Sequence, residues 1–141
     1  MPECKIFICT GFYLPGFKGG GPIRTIANMV DQLGNEFNFA LYTADRDLGD
    51  AAPYASIQRN AWQSVGKAEV FYASPEPGWI SRLWKNIASF EGNTIHLNSF
   101  FTFRFSILPR IFFFFLKQGA AIIFGPRGEF SEGACNLKKR K

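Results

Sequence analysis

Cysteine and histidine are scarce in this sequence, and each scarcity excludes a class of protein. The three cysteines, Cys4, Cys9 and Cys135, are too few and too scattered for a disulfide framework, and their spacing is not that of metal ligands. We therefore expect a reducing compartment. The single histidine excludes any Ser-His-Asp or Cys-His arrangement that does not use His96. The N-terminus lacks the basic segment, long apolar segment and cleavage site of a signal peptide.

Hydrophobic residues are plentiful instead. They make up 47% of the 141 residues, against 19% charged residues, so the chain can bury a core and we expect a single domain over residues 1–141. The net charge of +5 is uneven: residues 1–99 hold 8 basic and 9 acidic side chains, and residues 100–141 hold 8 and 2. A basic end can meet nucleic acid, anionic lipid or only solvent. We expect no nucleic-acid partner.

Strand-like and helix-like segments alternate along the chain. Strands are predicted at residues 5–10, 37–43, 68–72, 94–98 and 121–124, and helices at residues 22–33, around 80–87, and from 106, with Ser106 as the cap, to about 118. This alternation predicts an α/β fold with a parallel sheet covered by helices on both faces. From Ser131 a further helix is predicted with no strand after it, so we expect the front portion of a longer protein.

Four glycines within six residues, Gly16, Gly19, Gly20 and Gly21, precede Pro22. Glycine is costly unless the backbone must turn sharply or approach another group closely. The loop follows a buried strand and opens a helix, which is where α/β proteins bind ligands and where free N–H groups favour anions. We therefore predict an anion-binding loop. The alternative is a merely tight turn, although two glycines usually suffice for a turn.

The common nucleotide-binding motifs do not fit this loop. The glycine spacing is not G-x-G-x-x-G, although Asp45 or Asp47 after the second strand could imitate the acid that binds the ribose of NAD. A phosphate-binding loop needs Gly-Lys-Ser/Thr, and residues 21–23 read Gly-Pro-Ile. Asp45 and Asp47 also form a D-x-D pair that could hold a divalent metal, but acidic loops are usually only solvated. We predict no bound metal.

Two later strand ends offer side chains for a ligand. His96 lies inside an apolar strand, where histidine is more often a satisfied core residue, whereas Asn98 is nearer the carboxyl end and better placed. The segment FGPRGE, residues 124–129, follows the last predicted strand and presents Arg127 and Glu129 near the same sheet edge as the glycine loop. Arginine suits bidentate recognition of phosphate or carboxylate. The alternative is a surface ion pair between these two residues.

The segment IFFFFL, residues 111–116, is apolar around the whole helix, with Arg110 and Lys117 on either side. It is much too short to span a bilayer, which takes about 20 residues. Either the sheet and its neighbours bury this segment, or one face of the helix rests on a membrane. With the basic run at residues 138–141, the second interpretation predicts an anionic membrane surface as a partner.

Several segments, in this order, resemble bacterial family-4 glycosyltransferases. They are GGGPIRTIANMV, DRDLGDAAPY, the isolated Trp62 before VGKAEVFYASP, IHLNSFF, FSILPRI and GPRGEFSEGA…LKKRK. The resemblance runs from about residue 6 to residue 141. It implies the GT-B architecture, in which two Rossmann-like domains face each other across a cleft. This chain would be the N-terminal, acceptor-side domain, and the C-terminal donor-binding domain with its paired glutamates would lie outside it.

The resemblance also implies roles for individual residues. The loop that approaches the donor's phosphates would comprise Gly19, Gly20 and Gly21, assisted by Arg24. The acceptor side would be lined by Asn98, Arg127 and Glu129. Many members have a histidine after the fifth strand, but residues 126–128 here read Pro-Arg-Gly. A catalytic histidine at that place is therefore not predicted, and the catalytic residues stay unassigned.

The expected function is a hexosyltransferase-type glycosyltransferase, retaining and metal-independent, in surface polysaccharide or lipopolysaccharide biosynthesis. A nucleotide-sugar would be the co-substrate with no other cofactor, and the acceptor would be a saccharide or a lipid-linked saccharide. The protein would be cytoplasmic, peripheral on the inner face of the cell membrane, and inactive without its donor domain. One alternative is a non-catalytic α/β binding or membrane-associating module. Another, an NAD-type oxidoreductase domain, is disfavoured by the glycine spacing.

Overall fold

Strands and helices alternate through residues 4–99 and 102–125, which the computed structural model describes. In chain order the elements are β1 (Cys4–Cys9), α1 (Gly21–Leu33), β2 (Phe37–Ala44), β3 (Trp62–Val65), β4 (Ala68–Ala73), α2 (Trp79–Ser89), β5 (Thr94–Leu97), a π-helical turn (Phe103–Ile107), α3 (Leu108–Leu116) and β6 (Ala121–Phe124). The predicted α/β alternation is confirmed.

The six strands form one sheet in the order β3-β4-β2-β1-β5-β6. Every neighbouring pair is parallel except β3 and β4. Without β3, the five parallel strands have the spatial order 3-2-1-4-5 in their own numbering, which is compatible with a Rossmann-like fold. The order reverses between β1 and β5, so the two connections that leave these strands diverge at the carboxyl edge of the sheet.

Helices cover both faces of this sheet, as the alternation predicts. On one face, Ile26 and Val30 of α1 pack with Leu41 of β2. On the other face, Leu83 of α2 and Phe113 of α3 share one cluster with residues of β1, β2, β4 and β5. Within β1 the side chains alternate, since Phe7 and Cys9 belong to the second cluster and Ile8 belongs to the first.

The short strand β3 is absent from the sequence prediction, which treats residues 44–60 as a polar connection and places no strand before residue 68. It has only four residues, Trp62–Val65, and pairs antiparallel with β4 at the edge of the sheet. A run that contains Gln63 and Ser64 and lies half-exposed gives no apolar signal. The two-residue turn between Val65 and Ala68 joins β3 and β4 in a hairpin, and such a hairpin can form from two short segments.

Ser106 does not cap a helix, so that prediction is wrong. The π-helical turn starts before it at Phe103, and the Ser106 N–H donates to the carbonyl of Thr102 at 2.8 Å. The Ser106 hydroxyl donates to the carbonyl of Ser99 and so ties the turn to the end of β5. Pro109 lies in the first turn of α3, as predicted, because a missing N–H costs nothing there.

Candidate functional site

A cleft of about 240 Å³ opens at the carboxyl ends of β1 and β5, where the strand order reverses. Its lining includes Thr10 and Gly11 after β1, Gly19 of the glycine loop, and Asn98 and Thr102 after β5. Ligands of open parallel sheets bind at this kind of reversal. The fold thus brings the predicted glycine loop and the predicted Asn98 to one cleft.

A larger hollow, of about 580 Å³, lies at the opposite edge of the sheet. Residues from the amino ends of β1, β2 and β4, among them Lys5, Asn38 and Ala68, line it together with Trp62. The parallel strands present their amino ends there. Among the described residues, the connections that lead from a parallel strand into a helix lie at the other edge, where the strands end. We therefore take the smaller cleft at the carboxyl edge as the candidate site.

The glycine loop has a backbone that only glycine adopts readily. Gly20 has φ of 73° and ψ of −137°, and it immediately precedes α1. Side chains rarely tolerate this conformation, so Gly20 is required by the turn itself. An ideal Cβ on Gly21 would meet no atom of the described residues within 4 Å, and Gly21 has no positive φ. Neither its backbone nor these neighbours therefore require glycine at that position.

Fewer backbone N–H groups of the loop are available to an anion than its three consecutive glycines suggest. Pro22 has no N–H, and the N–H of Ile23 donates to the carbonyl of Gly20 at 3.2 Å. The N–H of Gly20 donates to the carbonyl of Phe17 at 3.1 Å. Arg24 is exposed in the first turn of α1, where its guanidinium can reach solvent beside the loop.

Asp47 orders the glycine loop from the connection after β2. Its Oδ2 accepts the backbone N–H groups of Phe17 at 2.9 Å and of Lys18 at 3.1 Å, and its Oδ1 accepts that of Leu48 at 2.9 Å. Burial alone raises the pKa of this carboxyl, but the three N–H donors and the Lys18 charge outweigh burial, so the pKa lies below its ordinary value. Sequence reasoning missed this role.

Asp45 is buried and paired with two arginines. Its Oδ1 lies 2.8 Å from Nε of Arg46, and its Oδ2 lies 2.8 Å from Nε of Arg59. Burial raises the pKa of Asp45, but the hydrogen bonds and charges of both arginines together lower it by more than burial raises it. The pKa therefore lies below its ordinary value. The D-x-D carboxylates are thus engaged by arginines and backbone N–H groups, and within the described residues no group of three His, Cys, Asp or Glu could hold a metal ion.

Asn98 lies at the predicted place, at the carboxyl end of β5, and is only 6% exposed. Its backbone N–H donates to the carbonyl of Cys9 at 3.1 Å, and its Nδ2 donates to Oγ1 of Thr10 at 3.3 Å. Thr10 in turn donates to the carbonyl of Phe12 at 3.2 Å. This chain of hydrogen bonds joins the two strand ends across the reversal and fixes the floor of the cleft.

The last described residue, Gly125, approaches His96 and Asn98. An ideal Cβ on Gly125 would lie 3.3 Å from Nε2 of His96 and 3.7 Å from Oδ1 of Asn98. The Gly125 N–H donates to the carbonyl of Leu97 at 2.9 Å and continues the sheet pairing. Arg127 and Glu129, the other predicted acceptor-side residues, lie outside the described residues.

The chemistry of the cleft is that of neutral hydrogen bonding. Its described lining offers hydroxyl and amide groups, from Thr10, Asn98, Ser99 and Thr102, beside apolar Ile23. None of these described lining residues is an acid, a histidine, a lysine or a thiol. The arrangement can bind and orient a polar neutral ligand, and the part of its lining that the structure describes contains no group suited to proton transfer at neutral pH.

Thr10, Leu48 and Thr102 belong to the cleft although sequence reasoning did not select them. The signal for Thr10 was its position directly after β1, the same argument that selects Asn98 after β5. Leu48 gave no signal, because only the folding of the connection after β2 brings it to the cleft.

Comparisons with family models, with curated proteins and with solved structures find no match to this chain.

Proposed function

We propose that this chain is the N-terminal, acceptor-binding domain of a sugar-nucleotide-dependent glycosyltransferase of GT-B architecture, acting in surface polysaccharide or lipopolysaccharide biosynthesis. The observation that carries the proposal is the neutral, hydroxyl- and amide-lined cleft at the reversal of strand order. A saccharide presents hydroxyl groups that both donate and accept hydrogen bonds, and the hydroxyl and amide groups of Thr10, Asn98 and Thr102 match it in chemical type. The sequence segments that resemble family-4 glycosyltransferases support the same function.

The glycine loop is the proposed contact to the donor. Gly19 lines the cleft, Gly20 sets the turn, and Gly21 leaves open space at the amino end of α1. A helix amino end favours a diphosphate, and Arg24 in its first turn adds a positive charge without a metal. The rest of the nucleotide would be held by a second domain, so we expect no sugar transfer by the 141-residue chain alone.

Saccharide binding to the 141-residue chain tests the proposal. Oligosaccharides are added to ¹⁵N-labelled protein, and the expected shifts in the amide spectrum cluster at Gly11, Asn98 and Ser99. Gly11→Val should abolish these shifts, because Gly11 lines the cleft, has no positive φ, and leaves space for a Cβ. Ala52→Val, at an exposed loop position, serves as the control.

Two results would contradict the proposal. One is a folded chain that gives no shift with any saccharide, or the same shifts after Gly11→Val. The other is turnover of a UDP-, GDP- or dTDP-sugar by the 141-residue chain alone, since this would place the donor site in the wrong domain.

A membrane-associating module is the second candidate, and the surface of α3 favours it. Phe114 is 72% exposed and Phe115 is 68% exposed, and Ile111 beside them is exposed as well. Phe112 packs against Trp84 at 4.9 Å between ring centroids, and Phe113 is fully buried. The helix thus divides between core and surface, instead of being wholly buried.

This aromatic surface, Ile111, Phe114 and Phe115, is compatible with the first candidate, because the acceptor of such an enzyme can be lipid-linked. Exposed aromatic residues next to basic residues suit the boundary of an anionic membrane. Among the described helices, none has both the length and the apolar character needed to cross a bilayer. We propose contact with the cytoplasmic face of the cell membrane as a property of the acceptor domain.

A further inference from the structure

Four arginines lie close to the carboxyl ends of β2 and β4, outside the cleft described above. This arginine cluster consists of Arg46, Arg59, Arg82 and Arg104. Among the described residues, the carboxylates of Asp45 and Glu76 form ion pairs with this arginine cluster. Guanidinium groups remain charged at every physiological pH, so among the described residues the cluster has four positive charges and ion pairs with only two carboxylates.

Arg46 and Arg59 account for both carboxylates. Asp45 accepts from Nε of Arg46 and from Nε of Arg59, each at 2.8 Å. Arg59 also reaches Glu76, with Nη2 at 2.8 Å from Oε1. These two arginines and two carboxylates form a neutral network, which leaves the other two arginines to be explained.

Arg82 and Arg104 are held by neutral oxygens. Nη2 of Arg82 donates to Oγ of Ser74 and to the carbonyl of Glu76, each at 3.2 Å. Nη2 of Arg104 donates to the carbonyls of Ser74 at 2.6 Å and Ala73 at 3.1 Å. The Nε atoms of both arginines are buried and have no hydrogen-bond partner among the residues that the structure describes. Among the described residues neither arginine makes an ion-pair contact with a carboxylate, although the charge of Asp45 acts on Arg104 from a distance. A partly buried charge that is paired only with neutral oxygens is costly to keep.

The amino end of α2 adds a third positive group at the same place. The helix begins at Trp79 after Gly78, without a side-chain cap and with no acidic residue in its first turn. Arg82 lies in that first turn, and the guanidinium of Arg104 lies 5.1 Å from the ring centroid of Trp79. The partial positive charge of the helix amino end therefore adds to the positive electrostatic potential around both arginines.

We propose that Arg82, Arg104 and the first turn of α2 bind an oxyanion, the phosphoryl or carboxylate group of a ligand. A guanidinium offers parallel N–H donors that match two oxygens of such a group, and a helix amino end favours negative charge. Burial lowers the pKa of Arg104, Tyr42 and the charge of Asp45 raise it in part, and the charge of Arg82 lowers it again, so the pKa lies below its ordinary value. A bound anion would raise it. The site shares no residue with the cleft, so it stands whether or not the chain binds an acceptor saccharide.

Titration of the ¹⁵N-labelled 141-residue chain with inorganic phosphate tests this site, at constant ionic strength maintained with NaCl. The amides of residues 74–82 should shift on binding. Arg82→Gln should weaken binding about tenfold or more, as expected for the loss of a charged hydrogen-bonding partner, and Arg82→Lys should weaken it less. Arg110→Gln, an exposed arginine on α3, is the matched control and should bind as the unchanged chain does.

Acetate is titrated in parallel to identify the source of the anion. Binding of both anions supports a general oxyanion site, and binding of phosphate alone supports a phosphoryl ligand. The proposal fails if neither anion shifts residues 74–82, or if Arg82→Gln, folded by its amide spectrum, binds phosphate as tightly as the Arg110→Gln control. Arg82 is preferred to Arg104 for this test because Arg104 also holds the backbone at Ala73 and Ser74.

Discussion

Oδ2 of Asp47 lies 2.9 Å from the backbone nitrogen of Phe17, a residue 30 positions earlier in the chain. The connection after β2 therefore fixes the shape of the loop after β1. An ionised carboxylate is well suited to this task, because it accepts several N–H groups at once and each such bond is stronger than a neutral one. Asp47, the second acid of the D-x-D pair, is thus a structural support of the glycine loop.

Asp47→Ala should destabilise the fold by about 2–4 kcal/mol, because three backbone N–H groups lose a charged acceptor in a buried place. The free energy of unfolding in urea measures the change. Asp50→Ala is the matched control, since Asp50 also lies in this connection but pairs with Lys18 at the surface. It should cost no more than about 0.5 kcal/mol. Equal effects of the two substitutions would contradict the role of Asp47.

Stability should fall in acid for a reason that lies in the same connection. The pKa values of Asp45 and Asp47 are both below their ordinary values. Asp45 and Asp47 therefore bind protons more readily in the unfolded chain than in the folded one, and acid favours unfolding. The free energy of unfolding should be steady above about pH 5 and should decrease as the pH falls below about 4. Urea unfolding from pH 7 to pH 2 measures it. Asp47→Asn should flatten the acid limb, and an unchanged limb would count against this assignment.

The parallel sheet and its covering helices could be predicted from the sequence, because each parallel strand is a compact apolar run and most runs are followed by helical spacing. The position of Asn98 followed from the same rule. The order of the strands, and so the reversal between β1 and β5, became known only from the structure. The burial of Asp47, which is 4% exposed, could not be predicted. An acidic loop looks solvated until the fold brings the N–H groups of Phe17 and Lys18 to it.

Two other features depended on packing that no local pattern records. Arg82 and Arg104 are 22 residues apart in the sequence, and they meet at Ser74 because α2 and the π-helical turn both pack at the carboxyl end of β4. Phe113 and Phe114 are adjacent and chemically identical, yet one is buried and the other exposed. Only the docking of α3 distinguishes them.

Gly20 and Gly21 should respond in opposite ways to alanine. Gly20→Ala should destabilise the fold by about 1 kcal/mol or more, because φ of 73° is unfavourable for any residue with a Cβ. Gly21→Ala should be neutral or stabilise by up to about 1 kcal/mol, because it enters open space at the start of a helix. Urea unfolding of the two variants compares them directly. If both variants lose the same stability, the loop does not have the backbone described here.

Membrane association should depend on the aromatic surface of α3 and not on exposed phenylalanine in general. Phe114→Ser should reduce the fraction of protein that floats with anionic liposomes about tenfold, as expected for removing one inserted aromatic side chain. Phe17→Ser is the matched control, because Phe17 is 77% exposed but lies in the glycine loop. Raising the salt should release the protein, since each well-placed basic residue contributes about 1 kcal/mol of attraction. If the unchanged chain floats with neither anionic nor neutral liposomes, or if Phe17→Ser reduces flotation as strongly as Phe114→Ser, then α3 does not bind the membrane.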